Sequence, residues 1–316
     1  MARMVVVTGW IVVAAGAALL ITLVTDRPRS RVVVAGQALA PYLAAALAPA
    51  GVAGALARSW AVTGVAALTL IGFAVVGRRL LWNGGQPEVL AGARAVRVLH
   101  ANLMYANRTP ERLGELAASV DDVDVLAFTE YTPTHAAVLL AGPLADRFAH
   151  RVEHPAPGAA GAALWSRYPL SRRVGPPLHF ATVAATVDSP ARLTVIVVHP
   201  MSPMVSMATW RRDLATLATI SPAGDPPTMI VGDFNASSWH PAFRRLLRAG
   251  WRDAHLATNR GFANTWPTNR RLPPFVGIDH YLLSDTVLAT ATAEVEVPGS
   301  DHRGIVVTVM PAHPPR

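Results

Sequence analysis

Residues 228–235 have the sequence TMIVGDFN, a short aliphatic run that ends in a cluster of polar side chains. An aliphatic run of this length, bounded by turn-forming residues, predicts a buried β-strand. Asp233 and Asn235 are two positions apart, so their side chains point to the same side of an extended strand end. The pair is suited to hold one substrate or one cation. An Asx turn followed by a helix N-cap is the alternative explanation for these two residue types.

Further runs of the same texture lie on both sides of this segment. They predict additional buried strands at 96–102, 123–130, 160–166, 193–199, 278–284 and 305–310. Between them, residues 110–120 and 204–220 predict helices. Short apolar strands that alternate with helical segments are typical of a mixed α/β domain.

Polar residues recur where these runs end. Asn102, Glu130 and His199 each stand at the end of a predicted strand, as Asp233 does. In α/β proteins ligands commonly bind at the carboxyl edge of the sheet, so this recurrence predicts a functional site there. Taken singly, each residue has an ordinary explanation: a turn amide, a solvated strand terminus or a structural histidine.

The order and spacing of these motifs resemble the endonuclease/exonuclease/phosphatase superfamily over about residues 95–312. The resemblance rests on Asn102, Glu130, GAALWSRYPL at 161–170, His199, GDFN at 232–235, IDHYLLS at 278–284 and SDHRGIVV at 300–307. It implies a four-layer α/β/β/α sandwich that hydrolyses a phosphoester with metal-activated water. There are two departures: Thr129 stands where the family often has glutamine, and no acidic partner for His199 can be named from the sequence.

The same resemblance implies roles for individual residues. Glu130 is the first choice of metal ligand, supported by Asn102 and Asp301. The remaining candidates form the catalytic set. In it, His302 is the base or holds a proton on the phosphate, and Asp279 orients His302. Asp233 positions or deprotonates the attacking water, while Asn235 binds one phosphoryl oxygen and His199 donates to another. Whether Asp233 or His302 takes the proton stays open at this point.

Composition excludes several other kinds of chemistry. The chain has no cysteine, and its 28 basic residues are all arginine. Thiolate nucleophiles, disulfides and cysteine metal sites are therefore excluded, as are Walker A loops and Schiff-base lysines. What remains is carboxylate, histidine, hydroxyl and arginine chemistry. The metal site that the resemblance implies would then have oxygen ligands, which suit Mg²⁺, with Mn²⁺ as the alternative.

A Pro-containing segment, 260–277, precedes Asp279. In it, Trp266, Arg270 and Arg271 are candidates for binding a phosphate-bearing substrate. An ordinary surface loop is the competing explanation.

The N-terminal third has a different character. We expect a membrane domain over 1–82, a linker over 83–95 and the catalytic domain over 96–312. Three uncharged stretches, 4–24, 32–57 and 61–77, predict transmembrane helices. The second stretch contains Gln37, Pro41 and Pro49, which leaves a broken or re-entrant helix as the alternative.

Charge separates the two parts of the chain. The net charge is +8, of which residues 1–93 carry +5 (seven arginines against Asp26 and Glu88) and the rest +3 (21 arginines against 18 acidic residues). The arginines near the predicted spans place the catalytic domain in the cytoplasm by the positive-inside rule. Membrane-bound members linked to glycopeptide resistance are similar in layout, and that likeness implies the outer face.

These observations favour a multi-pass enzyme of the cell membrane. We expect a metal-dependent phosphoesterase that acts on a membrane-bound, lipid-type phosphate ester or diphosphate. A membrane-tethered nuclease of the same fold is the alternative, which the small net charge of the catalytic domain disfavours. A non-catalytic membrane scaffold is the third hypothesis. The sequence leaves the oligomeric state open.

Overall fold

The computed structural model describes residues 2–26, 30–81, 88–119, 122–223, 226–261 and 263–313. The chain forms two compact units: one comprises 1–82 together with 238–244, the other 83–237 together with 245–316. Of the predicted linker, residues 83–87 lie outside the described part, and Val89 pairs with Ala312 in an isolated bridge.

In the described residues of its N-terminal segment, the first unit contains the helices α1 (Ala2–Thr25), α2 (Arg31–Ala38), α3 (Ala40–Leu56) and α4 (Trp60–Leu81). A polar residue connects two of these helices: the buried Gln37 amide of α2 donates to the Thr22 carbonyl of α1 at 3.3 Å. Small residues allow close packing, and a Cβ added at Gly16 would lie 3.1 Å from the Leu47 side chain. Both features are common among helices packed in apolar surroundings.

Two helices, Ala2–Thr25 and Trp60–Arg78, are long and apolar enough to cross a membrane. The predicted second span is not a single helix, because α2 and α3 meet at a bend of 71°. The break falls at Leu39, and Pro41 lies in the first turn of α3, where a missing backbone N–H is tolerated. The described residues thus contain two candidate spans, or three if the bent pair crosses as one.

The second unit carries the remaining regular structure. Its helical segments are a 3₁₀ turn at Pro110–Glu115, α5 (Leu116–Ser119), α6 (Pro133–Leu140), α7 (Pro143–Arg147), a 3₁₀ turn at Gly158–Ala160, α8 (Met207–Leu217), α9 (Pro241–Arg248), whose first residues belong to the other unit, and α10 (Ala254–Ala257). Its strands are β1 (Val96–Asn102), β2 (Val125–Thr129), β3 (His150–His154), β4 (Ala162–Ser166), β5 (Leu170–Arg173), β6 (Val183–Val187), β7 (Leu193–Val198), β8 (Thr228–Asp233), β9 (Arg252–Asp253), β10 (Asp279–Leu283), β11 (Val287–Glu296) and β12 (Arg303–Pro311).

These strands form two six-stranded sheets. The first has the order β11-β12-β1-β2-β4-β3, and the second has the order β5-β6-β7-β8-β10-β9. At the centre of the first sheet β1 and β2 are parallel, as are β7 and β8 in the second. Within each of these pairs, the two carboxyl ends therefore lie at the same edge.

The sheets face each other across an aliphatic core, which explains why alternate strand residues are buried there. Val96 and Val98 of β1 and Val195 and Val197 of β7 belong to this core. The intervening residues of β1, such as Leu99, face outward into a second cluster with Leu113, Leu139 and Leu144 from the helical segments. The expected mixed α/β fold with two packed sheets is confirmed.

The strand predictions were incomplete in one respect. All seven predicted strands are present, but β3, β5, β6, β9 and β11 were not predicted. Most of these lie at or beside sheet edges, and β5 and β11 expose much of their length. In β3, β5, β9 and β11, polar residues interrupt or replace the apolar ones, so these strands lack the continuous aliphatic run that marks a strand buried on both faces. Strand β6 is buried at every residue, and its short VAATV sequence was missed all the same.

Candidate active site

The site begins with the pairing of strands. In the first sheet Asn102 at the end of β1 lies beside Thr129 at the end of β2, and Glu130 follows. In the second sheet Asp233, the last residue of β8, is paired with Asp279, the first residue of the antiparallel β10. Asp279 therefore reaches the same edge from the start of its strand.

Asn102 joins the two sheets at this edge. Its amide Nδ2 donates to Asp233 Oδ2 at 3.0 Å and approaches Glu130 Oε1 at 3.3 Å. Its Oδ1 accepts the backbone N–H of Met104 at 2.9 Å. One buried amide thus brings two carboxylates from different sheets together.

Glu130 is held by its backbone surroundings. Its Oε2 accepts the backbone N–H of Tyr105 at 2.7 Å, and its own φ is 54°. A left-handed backbone is uncommon for a residue with this side chain, and such conformations cluster at functional sites. The Glu130 side chain is 14% exposed, so its carboxylate is accessible at the rim.

His302 and Asp279 form a buried pair. His302 Nδ1 donates to Asp279 Oδ2 at 2.9 Å, and its Nε2 lies 3.7 Å from Asp233 Oδ2. Burial alone would lower the pKa of His302, but the Asp279 and Asp233 carboxylates outweigh it and raise that pKa to about 10. The imidazole is therefore protonated at neutral pH.

Asp233 is held as a carboxylate. Burial opposes ionisation, yet the charges of His302 and His199 hold its pKa well below the usual range. Its Oδ1 accepts the backbone N–H of Asn235 at 2.7 Å. The Asx turn that competed with a functional interpretation is thus present, and it leaves Oδ2 directed at the other site residues.

In the structure, the acidic partner of His199, which could not be named from the sequence, is Asp233. Its Nδ1 donates to the Ala159 carbonyl at 3.1 Å, and its Nε2 lies 3.5 Å from Asp233 Oδ2 and 3.2 Å from Asn235 Nδ2. Burial acts to lower its pKa, but the hydrogen bond and charge of Asp233 raise it overall. His199 and Asn235 therefore lie side by side next to Asp233.

The predicted substrate loop divides into two parts. Trp266 is not directed at open solvent, because its indole Nε1 donates to Asp301 Oδ2 at 3.0 Å. Arg270 and Arg271 are exposed and line a groove of about 740 Å³ that also includes His302. The structure thus places the two arginines beside the site, whereas Trp266 supports Asp301.

The donor set fits a divalent cation. Ligand atoms of Asp233, Asp279 and His302 lie within 4.8 Å of one another. The Nδ1 atom of His302 is engaged by Asp279 Oδ2 at 2.9 Å, so the carboxylate oxygens are the more accessible ligand atoms of this group. Asn102 Nδ2 is shared between Glu130 Oε1 and Asp233 Oδ2, and a cation beside Glu130 would compensate the negative charge of the Glu130 carboxylate.

Two buried histidines near the site were overlooked in the sequence. His280 contacts Asp253 Oδ2 through Nδ1 at 2.6 Å and the Ala236 carbonyl through Nε2 at 2.8 Å, which holds the chain after Asn235. His100 lies on the same face of β1 as Asn102, and burial lowers its pKa to about 4 despite nearby Asp279. Side chains two positions apart on a strand lie on the same face, and this spacing from Asn102 is the sequence signal that could have identified His100.

Comparison with known proteins agrees with this geometry. The model of the Endonuclease/Exonuclease/phosphatase family matches residues 84–302. A comparison with curated proteins finds no match. The fold is similar to that of a humanized TDP2 of D. rerio, with a TM-score of 0.55 and 18% identity over 68% of this chain and 98% of that one.

Two bacterial structures are similar in the same way. An endonuclease/exonuclease/phosphatase from Beutenbergia cavernae DSM 12333 has a TM-score of 0.54 and 18% identity, covering 70% of this chain and 73% of that one. The 3'-5' exonuclease NExo from Neisseria meningitidis has a TM-score of 0.50 and 20% identity, covering 67% and 98%. At these identities the likeness is one of fold. The family match extends over more than half of the chain, which therefore belongs to the endonuclease/exonuclease/phosphatase family of phosphoester hydrolases.

Proposed function

We propose that this chain is a membrane-anchored, divalent-metal-dependent phosphoesterase that hydrolyses a phosphate ester or diphosphate of a lipid-type substrate. The observation that carries the proposal is the buried cluster of Asp233, Asp279 and His302 with Glu130 beside it. It combines an acceptor for a proton, a charged donor and a place for a cation at one accessible edge.

Glu130 would hold the cation, with Asn102 and Asp301 supporting it, and Mg²⁺ is the ion that this oxygen-rich set favours over the alternative Mn²⁺. When bound, the ion would stabilise the negative charge that develops on the phosphoryl oxygens.

The protonation states of His302 and Asp233 indicate which of the two accepts the proton from water. Because His302 is protonated at neutral pH, it cannot accept a proton from water, whereas the Asp233 carboxylate can. We therefore assign Asp233 to orienting and deprotonating the attacking water, and His302 to donating a hydrogen bond to the phosphate. Asp279 keeps the His302 ring in place.

Asn235 and His199 complete the phosphate site. His199 Nε2 lies 3.2 Å from Asn235 Nδ2, so both groups border the same space next to Asp233. They would donate to the non-bridging oxygens, where charge accumulates in the transition state.

A lipid-type substrate is supported by the loops around the site. Among the described residues of the second unit, six large apolar side chains are exposed, and four of them are on loops that adjoin the site: Tyr105, Met204, Val205 and Leu272. These loops are tied to the site, since Tyr105 N–H donates to Glu130, the Pro200 carbonyl accepts from Asn235, and Leu272 lines the groove with His302. Apolar side chains gathered around a polar site suit a substrate with an apolar tail.

A nuclease is the second candidate. Arg270, Arg271 and Arg303 line the groove, and arginine is a common phosphate-binding residue of nucleic-acid sites. A D. rerio TDP2 structure with a TM-score of 0.55 is complexed with single strand DNA product. Glu296 lines the same groove opposite Arg303 in the strand pairing and offsets part of the arginine charge, which weakens the attraction for a polyanion such as DNA and favours the lipid-type substrate.

The experiment compares substrates with the full chain in detergent. Phosphate release from a polyprenyl diphosphate and nicking of plasmid DNA are measured with Mg²⁺ and with EDTA. We expect lipid turnover that EDTA abolishes. DNA nicking at rates well above lipid turnover would contradict the proposed lipid-type substrate. Unchanged turnover in EDTA would contradict the proposed metal dependence.

The residue assignments are tested in the same assay. Asp233→Ala and His302→Ala are each expected to lower turnover by at least about 10²-fold, the smaller end of what a positioned acid or base contributes. His150→Ala, at an exposed histidine of β3, is the matched control and should keep full activity. Circular dichroism confirms that each variant folds. Full activity in either site variant would remove the mechanism.

A further inference from the structure

His100 is a buried histidine that the proposed reaction does not use. It lies on β1, two residues before Asn102, on the face of the strand that points between the two sheets. Its side chain is 0% exposed. A fully buried imidazole must place two ring nitrogens on polar partners or leave them unsatisfied, which costs stability.

The two ring nitrogens face two different residues. Nε2 lies 3.2 Å from the hydroxyl Oγ1 of Thr129, the cross-strand neighbour of Asn102. Nδ1 lies 3.5 Å from Oδ1 of Asp279. Among the described residues, neither His100 Nδ1 nor Asp279 Oδ1 has a hydrogen-bond partner, and these two buried atoms lie 3.5 Å apart.

The chemistry of these groups determines which atom can donate a proton in each of the two contacts. An ionised carboxylate only accepts, so Nδ1 must carry the proton of a neutral His100 ring. Nε2 is then an acceptor, and the Thr129 hydroxyl is the donor that selects this tautomer. The other oxygen of Asp279 accepts from His302 Nδ1 at 2.9 Å.

We propose that His100 is a positioning residue, which with Thr129 holds the Asp279 carboxylate so that Oδ2 stays aligned with His302. The chain of contacts is Thr129 to His100, His100 to Asp279 and Asp279 to His302, and it joins both sheets. Without an N–H group at Nδ1, His100 no longer offers a donor to the buried Oδ1, and the carboxylate can rotate about its side chain. His302 then loses its fixed direction toward the phosphate. This inference rests on the proposed role of His302.

The test exploits which ring nitrogen each amide side chain can replace. An asparagine amide nitrogen can take the place of Nδ1, whereas a glutamine amide nitrogen reaches the place of Nε2. In the full chain we expect His100→Asn to keep kcat within about threefold of wild type. His100→Gln and His100→Leu should lose about 10- to 100-fold in kcat with little change in KM, the range seen when groups that orient a ligand are removed.

Thr129 provides an independent arm. Thr129→Ser keeps the hydroxyl and should retain activity, whereas the isosteric Thr129→Val should lose kcat in the same direction as His100→Leu. Thermal unfolding of each variant separates loss of fold from loss of alignment. The inference is overturned if His100→Leu keeps wild-type kcat, or if folded His100→Asn is as impaired as folded His100→Leu.

The outcomes also distinguish this inference from the proposed function. Absence of phosphate release by the wild-type chain with Mg²⁺ would remove the proposed function itself, and full activity in His302→Ala would remove its mechanism. Loss of activity in His302→Ala together with wild-type kcat in His100→Leu would overturn only the positioning role.

Discussion

At the scale of single residues, His302 is held between two carboxylates that compete with the cost of its burial. Asp279 lies 2.9 Å from Nδ1 and Asp233 lies 3.7 Å from Nε2, and together they raise the pKa of His302 to about 10. The same contacts that orient the imidazole therefore keep it charged in the folded protein. This charge is what links catalysis to stability.

The raised pKa predicts how stability depends on pH. His302 binds its proton more tightly in the folded chain than at its ordinary pKa of 6.5. Its contribution is therefore complete below about pH 6.5 and is lost as pH rises through about 10. We expect the Tm of the solubilised chain in EDTA to fall across this window, and to fall less in His302→Gln, where the titrating group is absent. Across this window, titration of His302 lowers the free energy of unfolding by up to about 1.4 kcal/mol per pH unit.

The matched control is His150→Gln, which removes an exposed histidine and should reproduce the wild-type profile. Parallel Tm profiles for wild type and His302→Gln between pH 6.5 and 10 would contradict the assignment.

At the scale of secondary-structure elements, the site depends on which face of each strand its residues occupy. Val231 and Asp233 share one face of β8, and Tyr281 and Asp279 share the paired face of β10. The Tyr281 hydroxyl donates to the Ile305 carbonyl at 2.5 Å, which connects the second sheet to the first. Regular alternation along these strands places the catalytic groups at the end of the inter-sheet core.

Gly232 controls how closely β7 and β8 approach beside the site. A Cβ added there would lie 1.8 Å from the Val198 carbonyl oxygen, a distance that forces the strands apart. We expect Gly232→Ala to lower the free energy of unfolding by about 3 kcal/mol, the upper part of the range for overpacking. The neighbouring Asp233 should move with the strand, so activity falls as well. Chemical denaturation of the solubilised chain measures the first effect.

Gly114→Ala is the control, because a Cβ at that glycine meets no atom within 4 Å. Equal stability of Gly232→Ala and Gly114→Ala would show that the close approach is not a constraint.

At the scale of the whole molecule, two units divide the chemistry. The first consists largely of apolar helices, two of which are long enough to span a membrane. The second holds the proposed catalytic cluster, together with exposed apolar side chains on neighbouring loops. We propose that the helices anchor the chain in the cell membrane, where a lipid-type substrate is concentrated.

The apolar loops predict a dependence on the physical state of the substrate. Replacing Leu272 and Met204 together by serine should lower turnover of a lipid phosphate in vesicles by about tenfold or more, since burying each side chain contributes about 1.5 kcal/mol or more. Turnover of a short-chain, water-soluble phosphate ester should not change, because it needs no apolar contact. Phosphate release measures both.

Val174→Ser serves as the control, because Val174 is 99% exposed and directly follows β5, outside the loops that carry Leu272 and Met204. If the double variant lost activity equally on both substrates, the loops would act on the site itself rather than on a lipid.

Much of the fold and the list of candidate residues could be predicted from the sequence. Aliphatic runs mark the strands at the centre of both sheets, because strands buried on both faces need continuous apolar residues. The polar residues that end these runs, from Asn102 to Asp233, mark the catalytic edge. The strands with exposed faces, such as β11, were missed because their mixed composition resembles that of loops.

The sequence by itself determined the mixed α/β class, the apolar N-terminal helices and a site built without cysteine or lysine, because these follow from composition and local period. Only the tertiary structure decided the partners. It placed Asp233 beside His199, His100 opposite Asp279, and Trp266 on Asp301. These contacts join residues distant in the chain, and their geometry depends on strand register and on the packing of one sheet against the other, which no local pattern encodes.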